Sequence, residues 1–207
     1  MRKSKKWLII AAAVMVAVAA VGVHLYIEHQ EHSHHFHAVD RGHLYRSRQP
    51  HETQMREGLA RRDIKRIVNL RPEREDPQIF AEEKRVCADM GITMINLPVV
   101  EVIPSMDQVR EFLILARRTD GATLVHCEHG RNRTSIMVGA YRIVVQDWTV
   151  DATCKEMKNY TNLDGQRLDD CRKFLQTVAD QRRQLLVQTA PGTTTATSQA
   201  TTCAVGR

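Results

Sequence analysis

The stretch Thr123-Leu124-Val125-His126-Cys127-Glu128-His129-Gly130-Arg131-Asn132-Arg133-Thr134-Ser135 constrains this chain more than any other. It begins as an apolar, β-type run, passes through a cysteine, crosses a short loop at Gly130 and continues into a strongly apolar helical segment, Ile136 to Val145. A loop between a strand end and a helix start is an anion site in waiting, because backbone N–H groups converge there and the helix dipole adds partial positive charge. Here the cradle has a cysteine at its mouth and an arginine at its far lip. The N–H groups of Glu128, His129, Gly130, Arg131 and Asn132, with the planar fork of Arg133, form the expected phosphate-binding set. The same amides and the helix start would stabilise a thiolate at Cys127. Gly130 permits the tight backbone, and the Thr134 hydroxyl suits a sulfur leaving group. The chemistry implied is attack of Cys127 on a phosphate ester, a thiophosphoryl intermediate, and hydrolysis by water. It calls for no cofactor and no metal.

The pattern His-Cys-x-x-Gly-x-x-Arg-Thr resembles the active-site motif of the cysteine-dependent protein tyrosine and dual-specificity phosphatases. The resemblance places Cys127 on the family nucleophile and Arg133 on its phosphate-binding arginine. His126 falls on the histidine that helps hold the thiolate, and Thr134 on the hydroxyl residue after the arginine. Two further segments, Tyr45-Arg46-Ser47-x-Gln49-Pro50 and Asn69-Leu70-Arg71, are similar to a bacterial dual-specificity-like branch that is itself close to the plant and fungal atypical enzymes. This likeness runs over about residues 44–180. It makes Arg46 and Arg71 candidates for substrate contact, with surface salt bridging as the other reading.

The general acid is where the sequence departs from the family pattern. The resemblance implies an aspartate on a loop roughly thirty residues before the cysteine. The matching loop, Asn96 to Pro104, offers only Glu101. Asp107 is the alternative acid, although its position in the first turn of a helix suits a dipole-complementing role. A protein tyrosine or dual-specificity phosphatase is the leading expectation. A phospholipid or inositol-phosphate phosphatase of the same fold, and a catalytically silent phosphate-binding module, stand beside it. Glu128 disfavours highly phosphorylated headgroups, and the Arg-Thr pair disfavours sulfur or arsenate chemistry.

Composition narrows the partners. Of 207 residues, 30 are Lys or Arg and 24 are Asp or Glu. Arg2, Lys3, Lys5, Lys6 and Arg207 carry most of the imbalance, which leaves the body near neutral. With aromatic residues at 5%, nothing predicts a nucleic-acid-binding face. Cys87, Cys127, Cys154, Cys171 and Cys203 are scattered singly, so neither a zinc site nor a disulfide framework is expected.

Basic residues followed by an apolar run from Trp7 to Ile27 predict a transmembrane helix or signal anchor over residues 1–27, a cleaved signal peptide being the alternative. Either places the N-terminus in the cytoplasm and the catalytic domain on the far side of the membrane. Residues 28–43, rich in histidine, read as a juxtamembrane linker, with metal binding as the sharper alternative. Residues 44–188 are expected to form the phosphatase domain, and 189–207 a disordered Thr- and Ala-rich tail. Within the domain, strands and helices alternate: short strand near 44–47, helix 51–62, strand 64–70, helix 78–90, strand 92–97, helix from Ser105, strand 123–127, then helices 133–147, 150–162 and 165–188. That order predicts an α/β fold, a central, mainly parallel sheet flanked by helices, with the site at the strands' carboxyl ends.

Overall fold

The strand that leads into the cysteine loop, Ala122–His126, is buried at every position. A strand buried on both faces belongs in the middle of a sheet covered by helices, and that is its place. In the computed structural model, which describes residues 14–23 and 37–191, the strands are β1 (His37–Asp40), β2 (Leu44–Ser47), β3 (Ile64–Asn69), β4 (Thr93–Asn96) and β5 (Ala122–His126). Their order is β1-β2-β5-β3-β4, so β5 is central. It pairs in parallel with β2 and β3, β3 pairs in parallel with β4, and β1 runs antiparallel along the β2 edge. The sheet is mixed, with its parallel part as the sequence predicts.

The chain divides into two units, residues 1–36 and 37–207. In the first, residues 14–23 are helical (α1). No helix among the described residues is long and apolar enough to cross a membrane. The remainder of the predicted anchor, most of the histidine-rich segment and residues 192–207 of the predicted tail lie outside the described residues.

The helices of the second unit are α2 (Glu52–Ala60), α3 (Pro77–Met90), α4 (Met106–Ala116), α5 (Asn132–Val144), α6 (Val150–Met157), α7 (Gly165–Asp180) and α8 (Arg182–Gln188). Local signals explain their ends. The Asp76 carboxylate accepts from the Ile79 N–H at 3.1 Å and Pro77 occupies the first turn of α3, which Gly91 closes in the left-handed region. Ser105 and Gln108 form a reciprocal capping box at α4. Alternation along the strands sends side chains to opposite faces. Val68 and Val125 join the core with Phe112, Ile136, Met137 and Leu175, whereas Ile67 and Leu124 are buried on the other side. Helix α5 is enclosed almost all round by α4, α6, α7 and α8, as its largely apolar sequence from Ile136 to Val144 requires. Each Ile, Met or Val so enclosed is worth about 1.5–3 kcal/mol of burial.

Several boundaries differ from expectation. The helix over 133–147 ends at Val144, and order continues past 188, where Thr189 is fully buried and its Oγ1 accepts from Arg117 Nη1 at 2.6 Å. The sheet begins at His37, inside the segment read as linker, because Val39 is buried and Tyr141 Oη donates to Asp40 Oδ2 at 2.8 Å, fastening β1 to α5. The helix over 150–162 stops at Met157. The helix over 165–188 breaks at Gln181. There Arg182 Nε donates to the Ile143 carbonyl at 3.0 Å and Leu185 is buried, which turns α8 onto α5.

Candidate active site

Strand β5 ends at His126, and the chain then makes a five-residue loop, Cys127 to Arg131, before α5 begins at Asn132. Two ties hold that loop against β2 and the segment following it. Gln49 N–H donates to the Glu128 carbonyl at 3.0 Å, and Arg46 Nη2 donates to the Gly130 carbonyl at 2.7 Å. Gly130 has φ of +64°, and a Cβ built on it would lie 2.5 Å from the Ser47 carbonyl oxygen. Only glycine satisfies both the backbone conformation and the close approach. With the Gly130 carbonyl turned to Arg46, the N–H groups of residues 128–133 enter no hydrogen bond among the described residues and remain available as donors.

A cleft of about 380 Å³ opens over this loop, lined on the loop side by Cys127, His129, Arg131, Asn132 and Arg133. Cys127 is 3% exposed, and Thr134 Oγ1 stands 3.1 Å from its sulfur. Arg133 lines the cleft beside them, its fork clasped by Glu75: Nη1 to Oε1 is 2.8 Å and Nη2 to Oε2 is 3.2 Å. Partial burial works to raise the Glu75 carboxyl, but Arg133, helped by Arg71, outweighs it and holds the group below the ordinary carboxylate range. Glu75 therefore stands where a dianionic phosphate would meet the same fork.

The predicted residues fall into two groups. Cys127, Arg133, His129, Arg131, Asn132 and Glu101 meet at one cleft. Thr134 is fully buried beneath it against the sulfur. His126 is fully buried too, its Nδ1 3.3 Å from the Cys127 carbonyl. Gly130 acts through its backbone, and Glu128 is exposed, 3.7 Å from His129 Nδ1. Glu101 is exposed on the cleft wall between Val100 and Val102. Asp107 is not in the cleft lining: it sits in the first turn of α4, 88% exposed and paired with Arg110 Nη1.

Arg46 and Arg71, the candidates for substrate contact, are not among the residues lining the cleft. Both are buried, at 2% and 7% exposure. Arg46 bonds Gly130 and the Ser135 hydroxyl, at 2.8 Å for the latter, and lies 3.8 Å from the centre of the Tyr160 ring. Burial, partly offset by Tyr160, Glu156 and Cys127, brings its guanidinium down to about 10. Arg71 reaches Gln49 Oε1 at 3.3 Å and Glu75 Oε2 at 3.4 Å.

Sequence reasoning missed two carboxylates. Glu75 lies four residues beyond Arg71, an ion-pair spacing that is too common to single it out. Glu83 is 1% exposed, with Oε1 2.7 Å from His126 Nε2. It had a signal: three residues before Val86 and four before Cys87, it sits on the apolar stripe of α3, where an acid is out of place. Asn162, on the loop before α7, also lines the cleft and carried no signal.

Comparison with known proteins gives a consistent result. Residues 19–177 match the family described as "DSP-PTPase phosphatase fused to NAD+ Kinase". The dual specificity protein phosphatase TpbA of Pseudomonas aeruginosa is 30% identical over 122 residues, covering 56% of this chain and 50% of TpbA. The human phosphatidylglycerophosphatase and protein-tyrosine phosphatase 1 is 22% identical over 120 residues, covering 54% of this chain and 59% of that protein. The chain thus spans about half the length of the curated relatives it matches. Among solved structures, the catalytic core of the PP-IP phosphatase SIW14 from S. cerevisiae superimposes with a TM-score of 0.61 at 22% identity, covering 74% of this chain and 91% of that one.

Proposed function

We infer that this chain, which belongs to the DSP-PTPase phosphatase family, hydrolyses phosphomonoesters through a cysteinyl-phosphate intermediate. The observation that carries the reading is the Cys127 sulfur at the floor of a cleft that also presents Arg133, with Thr134 Oγ1 3.1 Å from the sulfur. The substrate phosphate binds the N–H groups of residues 128–133 and takes over the Arg133 fork from Glu75. The Cys127 thiolate attacks phosphorus, a P–S bond forms, and the P–O bond to the leaving group breaks. Glu101, the carboxyl on the cleft wall, gives its proton to the departing oxygen. In the second step Glu101 takes a proton from water, the water oxygen bonds to phosphorus, and sulfur leaves as thiolate, stabilised by the Thr134 hydroxyl.

A phosphoprotein is the substrate class best supported. The cleft is open, its walls mix Val100 and Val102 with Glu75 and Glu101, and a polyanionic headgroup would meet those carboxylates. The phospholipid reading has one observation of its own: a relative of this chain is a phosphatidylglycerophosphatase by name. The apolar run Trp7 to Ile27 supports a membrane anchor that leaves the N-terminus in the cytoplasm and the catalytic unit, from about His37 on, on the far side. Membrane fractionation with protease protection of the full chain tests this. A soluble, protease-accessible product in the cytoplasm would end it.

Turnover of an aryl phosphate, phosphopeptides, phosphoinositides and phospholipids by the reduced full chain tests the chemistry. Cys127→Ser should abolish all of it. Glu101→Gln should cost about a hundredfold on poor alkyl leaving groups and little on an aryl phosphate, whose leaving group needs no proton. Phosphate binding without turnover in the unmutated protein would leave a binding module instead.

A further inference from the structure

Beneath the cysteine loop lies a polar cluster that the mechanism does not use. Glu83, on α3, is 1% exposed in the interior of the domain. Its Oε2 accepts from Asn69 Nδ2 at 2.7 Å and from Gln49 Nε2 at 3.1 Å. Its Oε1 faces His126 Nε2 at 2.7 Å. The two amides are fixed the right way round by their other ends. Gln49 Oε1 accepts from Arg71 Nη1, and Asn69 Oδ1 accepts from the Arg71 N–H at 2.8 Å. The Gln-Pro and Asn-Leu-Arg segments that stand out in the sequence therefore converge on one buried carboxylate.

Counting protons settles what this carboxylate asks of its neighbour. His126 Nδ1 faces the Cys127 carbonyl at 3.3 Å, and a carbonyl only accepts. Nε2 faces Glu83. With Nδ1 donating to that carbonyl, a favourable contact between Nε2 and Oε1 at 2.7 Å requires a second proton between them. Two amide donors on Oε2 favour the carboxylate form, which puts the second proton on the ring. Burial pushes the Glu83 carboxyl up, but His126, Gln49 and Asn69 more than reverse that and hold it below the ordinary range. The other charged groups around the cluster are Arg71, one step away through Gln49, and Arg46 below Gly130.

We propose that Glu83 is a positioning residue that holds His126 as an imidazolium, aiming its Nδ1–H at the Cys127 carbonyl and placing a fixed positive charge behind the nucleophile. The same carboxylate reaches the phosphate-binding side, since Gln49 passes to Arg71, Arg71 to Glu75, and Glu75 to Arg133. In the phosphate-free site, one buried group is thus linked both to the residue behind the nucleophile and, through Glu75, to the arginine that the phosphate later takes over.

The isosteric Glu83→Gln variant separates charge from shape. With Asn69 and Gln49 both donating, the new amide turns its oxygen to them and its NH₂ to His126. His126 then becomes neutral, keeps its Nδ1 proton, and keeps its bond to the Cys127 carbonyl. The pH midpoint for alkylation of Cys127 by iodoacetamide should rise by about one unit, a tenfold loss of thiolate below the midpoint. The acid limb of kcat/KM on an aryl phosphate should rise by the same amount, while KM changes little. An unchanged alkylation profile in a folded Glu83→Gln protein would overturn the proposal. Should that variant not fold, ring-nitrogen NMR of the unmutated chain decides: both His126 nitrogens should carry protons at pH 7, and a neutral ring there refutes the assignment. The inference rests on Cys127 being the nucleophile. The NMR reading does not depend on turnover, so a charged His126 in an inert protein would count against the phosphatase reading alone.

Discussion

The floor and the rim of the cleft are built on opposite principles. On the floor, His126, Thr134, Glu83 and Arg46 are each 2% exposed or less, and each is bonded to the loop or to another floor residue. On the rim, Glu101, His129 and Arg131 are exposed, and Val100 is 63% exposed. Breaking a bond to a buried polar group costs about 1–3 kcal/mol, so the bonds these side chains make narrow the arrangements open to the floor. An exposed side chain trades protein for water at little cost, so the rim is free to vary. The difference teaches that the cysteine loop is held from below by buried, bonded side chains, while the side chains around the mouth of the cleft are under little structural constraint.

The hardest test of that division is Gly130→Ala. The added Cβ meets the Ser47 carbonyl at 2.5 Å and the Ser47 carbon at 2.6 Å, backbone atoms that cannot step aside. The left-handed φ adds roughly 1 kcal/mol of strain. The loop must move by ångström amounts, and misplacement on that scale costs about a hundredfold or more in rate. Steady-state kinetics on an aryl phosphate should show that loss in kcat/KM. Activity within a few-fold of the unmutated protein would mean that the floor is softer than its packing implies.

Arg46→Met probes the same floor from underneath. It fills the space with a side chain of similar length but removes the donor to the Gly130 carbonyl and to Ser135. Those buried acceptors are then stranded, and the expected loss is about 2–4 kcal/mol in chemical denaturation, with kcat falling more than KM rises. A variant as stable as the parent would show that the cation contributes no more than packing against Tyr160.

What the sequence revealed follows the same line. The cysteine loop was legible because its chemistry is contiguous: strand, nucleophile, glycine, arginine and helix follow one another without a gap. The parallel sheet was legible from alternating elements. The carboxylates beside the loop were not, since Glu75, in the turn between β3 and α3, and Glu83, on α3, lie more than forty residues before their partners Arg133 and His126. Glu83 betrayed itself only by lying on an apolar helix face. Arg46 and Arg71 were singled out as unusual in their segments, but their burial and their bonds to Gly130, Gln49 and Glu75 were not legible, because nothing local tells a buried guanidinium from an exposed one. Strand β1 hid among histidines, its one buried hydrophobic residue, Val39, being too little pattern to announce a strand.

The smallest expected effect lies at the rim and is the most informative about biology. Arg131 lines the cleft, is exposed, and makes no ion pair among the described residues. Arg131→Ala should leave stability within about 0.5 kcal/mol, as surface substitutions do. Turnover of a small aryl phosphate, which ends at the loop amides and Arg133, should also be unchanged. For substrates that carry further negative charge beyond the phosphate, such as acidic phosphopeptides, KM should rise by roughly threefold to tenfold, the loss of one partly screened charge contact. That loss should fade as salt is raised, because an exposed pair is screened over about 10 Å at 0.1 M ionic strength. An equal loss on the aryl phosphate would place Arg131 in the phosphate cradle itself. The line between a fixed floor and a free rim would then run one residue further out than the burial pattern draws it.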